Sequence, residues 1–169
     1  MSAPTGRPLG ELVRDYLDDP GPQRLAALRA TVRSATDFDP DLNLAAEIGP
    51  LLLAGEHQQV VDLVTARMPG AALSPAAHRA LAISLRELGH TEAAEREQAM
   101  AEISVSSVLA TGDGTQERPW SVLRVADEYD VLGATGAGST TQSSASVEGR
   151  LLDRHEGDDG REVWFVLER

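Results

Sequence analysis

The segment Ser74-Pro75-Ala76-Ala77-His78-Arg79-Ala80-Leu81-Ala82-Ile83-Ser84-Leu85-Arg86-Glu87-Leu88-Gly89-His90-Thr91 carries one complete helix with both ends marked. Ser74 is an N-cap residue, and Pro75 suits the first helical position, where its missing N–H costs nothing. Ala77, Leu81, Leu85 and Leu88 fall on one face. Gly89 is the expected C-cap glycine. Thr91 is then expected to cap a following helix, whose apolar positions are Ala94, Ala101, Val105, Val108 and Leu109.

Working outward from this hairpin, Gly89 is one of three glycines spaced by 34 residues, with Gly55 and Gly21. Four residues before each stand Leu17, Leu51 and Leu85; five residues after stand Ala26, Val60 and Ala94. A leucine in the first helix and a compact residue in the second allow close helix packing. The intervening stretches are amphipathic as well. Leu9, Leu12, Val13, Tyr16 and Leu17 form one stripe, ended by Asp18-Asp19-Pro20-Gly21. Leu25, Leu28, Val32 and Ala35 form the next. Asp41 is the expected N-cap of a third helix with Leu44, Ile48, Leu51 and Leu52, although Pro50 implies a bend or a late start. Val60, Val61, Val64 and Met68 complete the fourth, stopped by Pro69-Gly70.

This period and pattern resemble tetratricopeptide repeats, helix–turn–helix units stacked into a solenoid. Ala82, Leu85, Gly89, Ala94 and Ala101 carry the likeness best, while His78 and Gln98 stand where that consensus has aromatic residues. The resemblance implies that the first helix of each hairpin lines a concave groove. On the fifth helix, Arg79, Ile83 and Arg86 then share the open face and are the candidate partner-binding residues, suited to a peptide or an acidic partner.

Beyond Leu109 the pattern changes. Ala110-Thr111-Gly112-Asp113-Gly114-Thr115 opens a turn-rich linker over residues 110–119. Trp120 to Val125 reads as a strand and Ala126 to Leu132 as a short helix. Gly133 to Ser146 reads as a flexible Gly/Ser/Thr-rich loop. Arg150 to Glu156 and Arg161 to Leu167 read as two strands joined by Gly157-Asp158-Asp159-Gly160. The expected fold class is therefore α+β. A leader at 1–8, expected to be disordered, precedes a tetratricopeptide-like array of about six helices over 9–109. A strand–helix–strand–strand domain follows over 120–169. Residues 75–169, with Gly112-Asp113-Gly114, an aromatic strand, Asp127-Glu128-Tyr129 and a final aromatic strand, also resemble an uncharacterised bacterial family that joins helical repeats to such a tail. That likeness implies no activity.

Charge narrows the partners. The chain holds 27 acidic residues against 15 basic ones, a net −12, and each part either side of Ser107 carries −6. Phosphate backbones and anionic membranes repel such a surface, so no nucleic-acid or membrane partner is expected. All fifteen cations are Arg and there is no Cys, which removes disulfides, thiolate zinc sites and a cysteine nucleophile. The N-terminal residues do not read as a signal peptide, and a cytoplasmic bacterial protein is expected.

The chemical motifs are few. Gly133-Ala134-Thr135-Gly136-Ala137-Gly138-Ser139-Thr140 has the frame of a phosphate-binding loop, but Ser139 occupies the Lys position. Asp113, Asp158 and Asp159 sit in glycine-flanked turns without the ligand set of a calcium loop. His57, His78, His90 and His155 are scattered, and His57 and His90 fall at helix starts. No catalytic, cofactor or metal residue is assigned. The expectation is a protein-interaction or scaffolding module. The alternatives are a small-ligand protein or enzyme with a polar pocket near Trp120 and Tyr129, and an immunity-type or accessory subunit.

Overall fold

A computed structural model describes residues 7–168; most of the expected leader, residues 1–6, lies outside them. Helices come first: α1 (Leu9–Asp18), α2 (Pro22–Arg33), α3 (Leu44–Leu53), α4 (His57–Thr65), α5 (Pro75–Glu87) and α6 (Thr91–Leu109). Then follow β1 (Trp120–Val122), α7 (Val125–Thr135), β2 (Thr141–Val147), β3 (Arg150–Glu156) and β4 (Glu162–Leu167). The α+β class stands, with the helices before the sheet.

Two of the three spaced glycines do the same work. Gly55 and Gly89 are left-handed, at φ 73° and 84°. Glu56 N–H donates to Leu51 O at 2.9 Å, and His90 N–H to Leu85 O at 2.8 Å. Each is the long hydrogen bond of a Schellman cap, repeated 34 residues apart. Leu51 and Leu85 pack on one core with Ile48, Val60, Val64, Ala77, Ala80 and Leu81. Gly21 differs: it is extended, at φ −162°, and precedes α2 as its N-cap. Leu17 is 47% exposed and Ala26 is exposed too. The first hairpin therefore does not repeat the packing of the others. Its core of Tyr16, Leu25, Leu28 and Val32 closes on Ala72, Leu73 and Leu123.

Cap positions shift from expectation in two places. Asn43, not Asp41, caps α3, its side chain accepting Ala46 N–H at 3.2 Å. The helix starts at Leu44, which is not late enough to spare Pro50, and the proline remains inside it. Thr91 is the first residue of α6, and its N-cap is His90. Ser74 caps α5 as expected, accepting from Ala77 N–H.

The sheet has the order β1-β4-β3-β2. β1 runs parallel to β4, with Trp120 opposite Phe165, and the other pairs are antiparallel. The expected loop over residues 133–146 is corrected: α7 continues to Thr135, and Thr141–Val147 is strand β2, with Ser144 opposite Asp153. Thr-Gln-Ser-Ser-Ala-Ser-Val has no apolar alternation to betray a strand, and the backbone ladder to β3 holds it. Val108, Val122, Val131, Leu132, Val163 and Phe165 form a third core between α6, α7 and the sheet.

The turn after α4 is the hub of the molecule. Residues 70–75 are buried although they are mostly turn, so their carbonyls need partners other than water. Arg124, 1% exposed, supplies them: Nη2 donates to Gly70 O and, at 3.3 Å, to Ala72 O. Its guanidinium lies 5.3 Å from the centre of the Phe38 ring. Nη1 faces the buried Asp127 carboxylate at 3.4 Å. Gly70 itself admits no Cβ, which would stand 2.5 Å from the Asp37 carbonyl. Buried Arg29 makes a second clasp, donating to Glu168 at 2.8 Å and to Ser121 O at 2.9 Å.

Candidate functional site

The concavity nearest the candidate residues runs between α3 and α5 and ends against α7. Its floor is made of small residues: Ala45 and Gly49 from α3, Ala76 and Ala80 from α5. Leu52 and Ile83 flank a cavity of about 230 Å³, which the buried Ile48 also lines. Gly49 is the telling residue. A mid-helix glycine costs roughly 0.5–1 kcal/mol against alanine, yet a Cβ there would meet nothing within 4 Å. No neighbouring atom therefore requires a glycine at this position.

Toward α7 the groove deepens into a second cavity of about 450 Å³, which shares Ala45, Ala76 and Asp130 with the first. Asp41, Asn43, Val125, Ala126 and Tyr129 complete its lining. The junction pocket expected near Trp120 and Tyr129 lies at Tyr129 alone, since Trp120 packs beside the sheet core. Tyr129 is 52% exposed, with its hydroxyl on Gln142.

Asp130 sets the electrostatics where the two cavities meet. Its Oδ2 accepts Ala76 N–H at 3.2 Å, satisfying one of the donors left open at the start of α5. Its Oδ1 takes the Arg79 guanidinium. Burial pushes the Asp130 carboxyl above its ordinary range, and the Arg79 charge opposes that shift. One carboxylate from α7 therefore both caps α5 and holds its cation.

The three candidate residues have different fates. Ile83, 45% exposed, lines the groove. Arg79 lines it as well, but its charge is met by Asp130 within the chain. Arg86 is exposed on the last turn of α5 and is not part of the lining. Sequence reasoning named Asp41 only as a cap and missed Gly49 and Asp130. Gly49 left a signal, a glycine beside a proline inside an amphipathic run. Asp130 left none, because its role depends on where α7 docks.

The other motifs singled out in the sequence lie outside the groove. Asp113 accepts Thr115 N–H at 3.1 Å and its hydroxyl at 2.7 Å, ordinary turn chemistry. His78 is buried against Glu97 at 2.6 Å. The phosphate-loop frame is split between the end of α7 and the approach to β2. Among the described residues no three His, Cys, Asp or Glu side chains converge as a metal site would need. No helix there is long and apolar enough to cross a membrane. Comparison with protein-family models, curated proteins and solved structures gave no match to this chain.

Proposed function

We propose that the protein is a cytoplasmic bacterial interaction module of tetratricopeptide-like type, and that the α3–α5 groove receives a segment of a partner protein. The observation that carries this reading is the open, small-residue floor of Ala45, Gly49, Ala76 and Ala80 beneath the exposed Ile83. The paired Schellman caps at Gly55 and Gly89 support the repeat assignment. The first hairpin serves as an N-terminal cap of a two-unit array. The partner segment brings a bulky apolar side chain to Ile48, Leu52 and Ile83, and a cationic group to Asp41 beside Asp130. Arg79, already paired, lends shape more than charge.

Selection of displayed peptides on the wild-type chain tests this. Gly49→Met fills the floor from a position with free space, and Ile83→Asp places a charge on the wall. Both are surface changes and leave the fold intact by circular dichroism. Selected peptides should lose at least about tenfold in affinity on each. Peptides that bind both variants as well as wild type remove the groove from the function. A second reading, a small ligand held in the 450 Å³ cavity, is favoured by its size and by the carboxylates of Asp41 and Asp130. It predicts that Gly49→Met leaves binding unchanged.

A further inference from the structure

One line of side chains lies outside the groove and crosses from buried to exposed surroundings. Ser139 Oγ stands 2.9 Å from His155 Nδ1, and His155 Nε2 stands 2.7 Å from Glu128 Oε2. His155 and Glu128 are completely buried, whereas Ser139 is exposed on the turn before β2. The imidazole is clamped edge-on between two rings, Tyr129 at 5.2 Å and Phe165 at 5.5 Å. Gln142 reaches the same Glu128 oxygen at 3.5 Å, and the other, Oε1, is buried with no hydrogen-bond partner.

Packing alone gives little reason for this arrangement. A buried acid–imidazole pair is costly, and a network with an orphaned oxygen is worse than an apolar filling. Leucine and valine elsewhere in the same layer show that the sheet and α7 can be joined without polar groups. Burial pushes the Glu128 carboxyl up, the hydrogen bond with His155 pulls it back, and the neighbouring Asp153 carboxylate pushes it up again. What the line achieves is to aim a fixed imidazole nitrogen at one solvent-facing hydroxyl.

We propose that Ser139 is an activated nucleophile, with His155 as its general base and Glu128 as the positioning residue, acting on small uncharged esters. A base within hydrogen-bond reach of a hydroxyl, itself oriented by a third group, is the geometry that nucleophilic catalysis requires. With Nε2–H donated to the Glu128 carboxylate, Nδ1 presents its lone pair to the Ser139 hydroxyl. The ring is used in the opposite sense to the familiar serine triad, in which Nε2 faces the serine. Ser139 Oγ bonds to the ester carbonyl carbon as its proton passes to Nδ1. The bond to the leaving alkoxide then breaks, and the alkoxide takes that proton and departs as the alcohol. Water attacks the acyl-serine, its proton passing through Nδ1 back to Ser139 Oγ, and the carboxylic acid is released. One acidic neighbour biases the substrate: the Asp158 carboxylate lies 3.9 Å from where a Cβ on Gly138, the residue before Ser139, would stand. Anionic esters are repelled, and the open position of Ser139 suits small acyl groups.

The full chain is assayed with p-nitrophenyl acetate and, separately, labelled with a fluorophosphonate and mapped by mass spectrometry. The wild type should release nitrophenolate about 10²-fold faster than Ser139→Ala, the lower end of what a positioned base supplies. The label should sit on Ser139. Because Ser139 is exposed, Ser139→Ala keeps the fold. Glu128→Gln, checked for native circular dichroism, should lower kcat with KM unchanged. Equal rates for wild type and Ser139→Ala, or a label on another residue, overturn the proposal. A folded Glu128→Gln chain with wild-type kcat overturns the role of Glu128. None of these results depends on the groove.

Discussion

Asp127 shows how a single buried group can serve two ends. Its carboxylate accepts the Arg124 backbone N–H at 3.2 Å, closing the first turn of α7, and faces the Arg124 guanidinium. Burial dominates the balance and pushes the carboxyl up to about 7, against the pull of Arg124. Burial acts on Arg124 in the complementary sense and lowers it. The sign of the pH dependence follows. Below the unfolded value near 4 the group is protonated in both states, and its contribution is fully present. Between about pH 4 and 7 the folded chain keeps a proton that the unfolded chain has lost, so stability falls as pH rises, by at most ~1.4 kcal/mol per unit. Above 7 nothing further is lost. Urea unfolding of wild type and Asp127→Asn at pH 5 and pH 8 isolates the effect. The wild type should gain roughly 2–3 kcal/mol relative to the variant on going from pH 8 to pH 5. A difference that rises with pH instead would mean that Arg124 outweighs burial and holds Asp127 ionised. Their pairing left no mark in the sequence. Arg124 read as a strand position and Asp127 as the start of a short helix, since only the docked turn at residues 70–73 makes them a buried pair.

At the scale of elements, legibility follows the kind of force that forms each one. Helices α1 to α6 were readable because each buries an apolar stripe, and Gly55 and Gly89 were readable because a left-handed cap demands glycine. Gly21 keeps the spacing but not the left-handed cap, because its backbone is extended and it opens α2. β2 was unreadable because backbone bonds to β3 define it while its side chains are exposed and polar. The glycines give a graded test. Gly89→Ala forces a left-handed Cβ and should cost about 1–2 kcal/mol. Gly21→Ala meets nothing within 4 Å. It should be neutral or stabilise by about 0.4–1 kcal/mol through the unfolded chain. Gly70→Ala should be the most damaging of the three, because its Cβ would stand 2.5 Å from backbone that has no room to yield. Thermal melting of the three variants should rank them Gly21, Gly89, Gly70 from least to most destabilised. Gly21→Ala falling with Gly89→Ala would restore it as a third equivalent of the repeat.

The whole molecule is held by contacts that cross from its helical part to its sheet. Leu123 enters the core of the first hairpin beside Tyr16, Leu28 and Val32. Arg124 satisfies carbonyls of the 70–72 turn, Arg29 binds Ser121 and Glu168, and Asp130 caps α5. Removing residues 110–169 would therefore expose more than apolar surface. It would leave the carbonyls of Gly70 and Ala72 without their donor and Arg29 without its acceptors. The freed polar groups exchange fixed partners for water, a net loss of about 0.5–1.5 kcal/mol per hydrogen bond, and Leu123 alone is worth about 1.5–3 kcal/mol as a buried side chain. The sum rivals the whole stability of a domain, about 5–15 kcal/mol. A chain ending at Leu109 should keep helical circular dichroism but lose its sharp urea transition. The tryptophans leave with the deleted part, so Tyr16 fluorescence and far-ultraviolet ellipticity serve as the two probes, and they should no longer coincide. The full chain should show one transition by both. If the shortened chain unfolds in a single coincident step at the midpoint of the full chain, the crossing contacts are decoration and the helical array stands by itself. If it does not, the groove between α3 and α5 owes its shape to the sheet domain that closes one end of it.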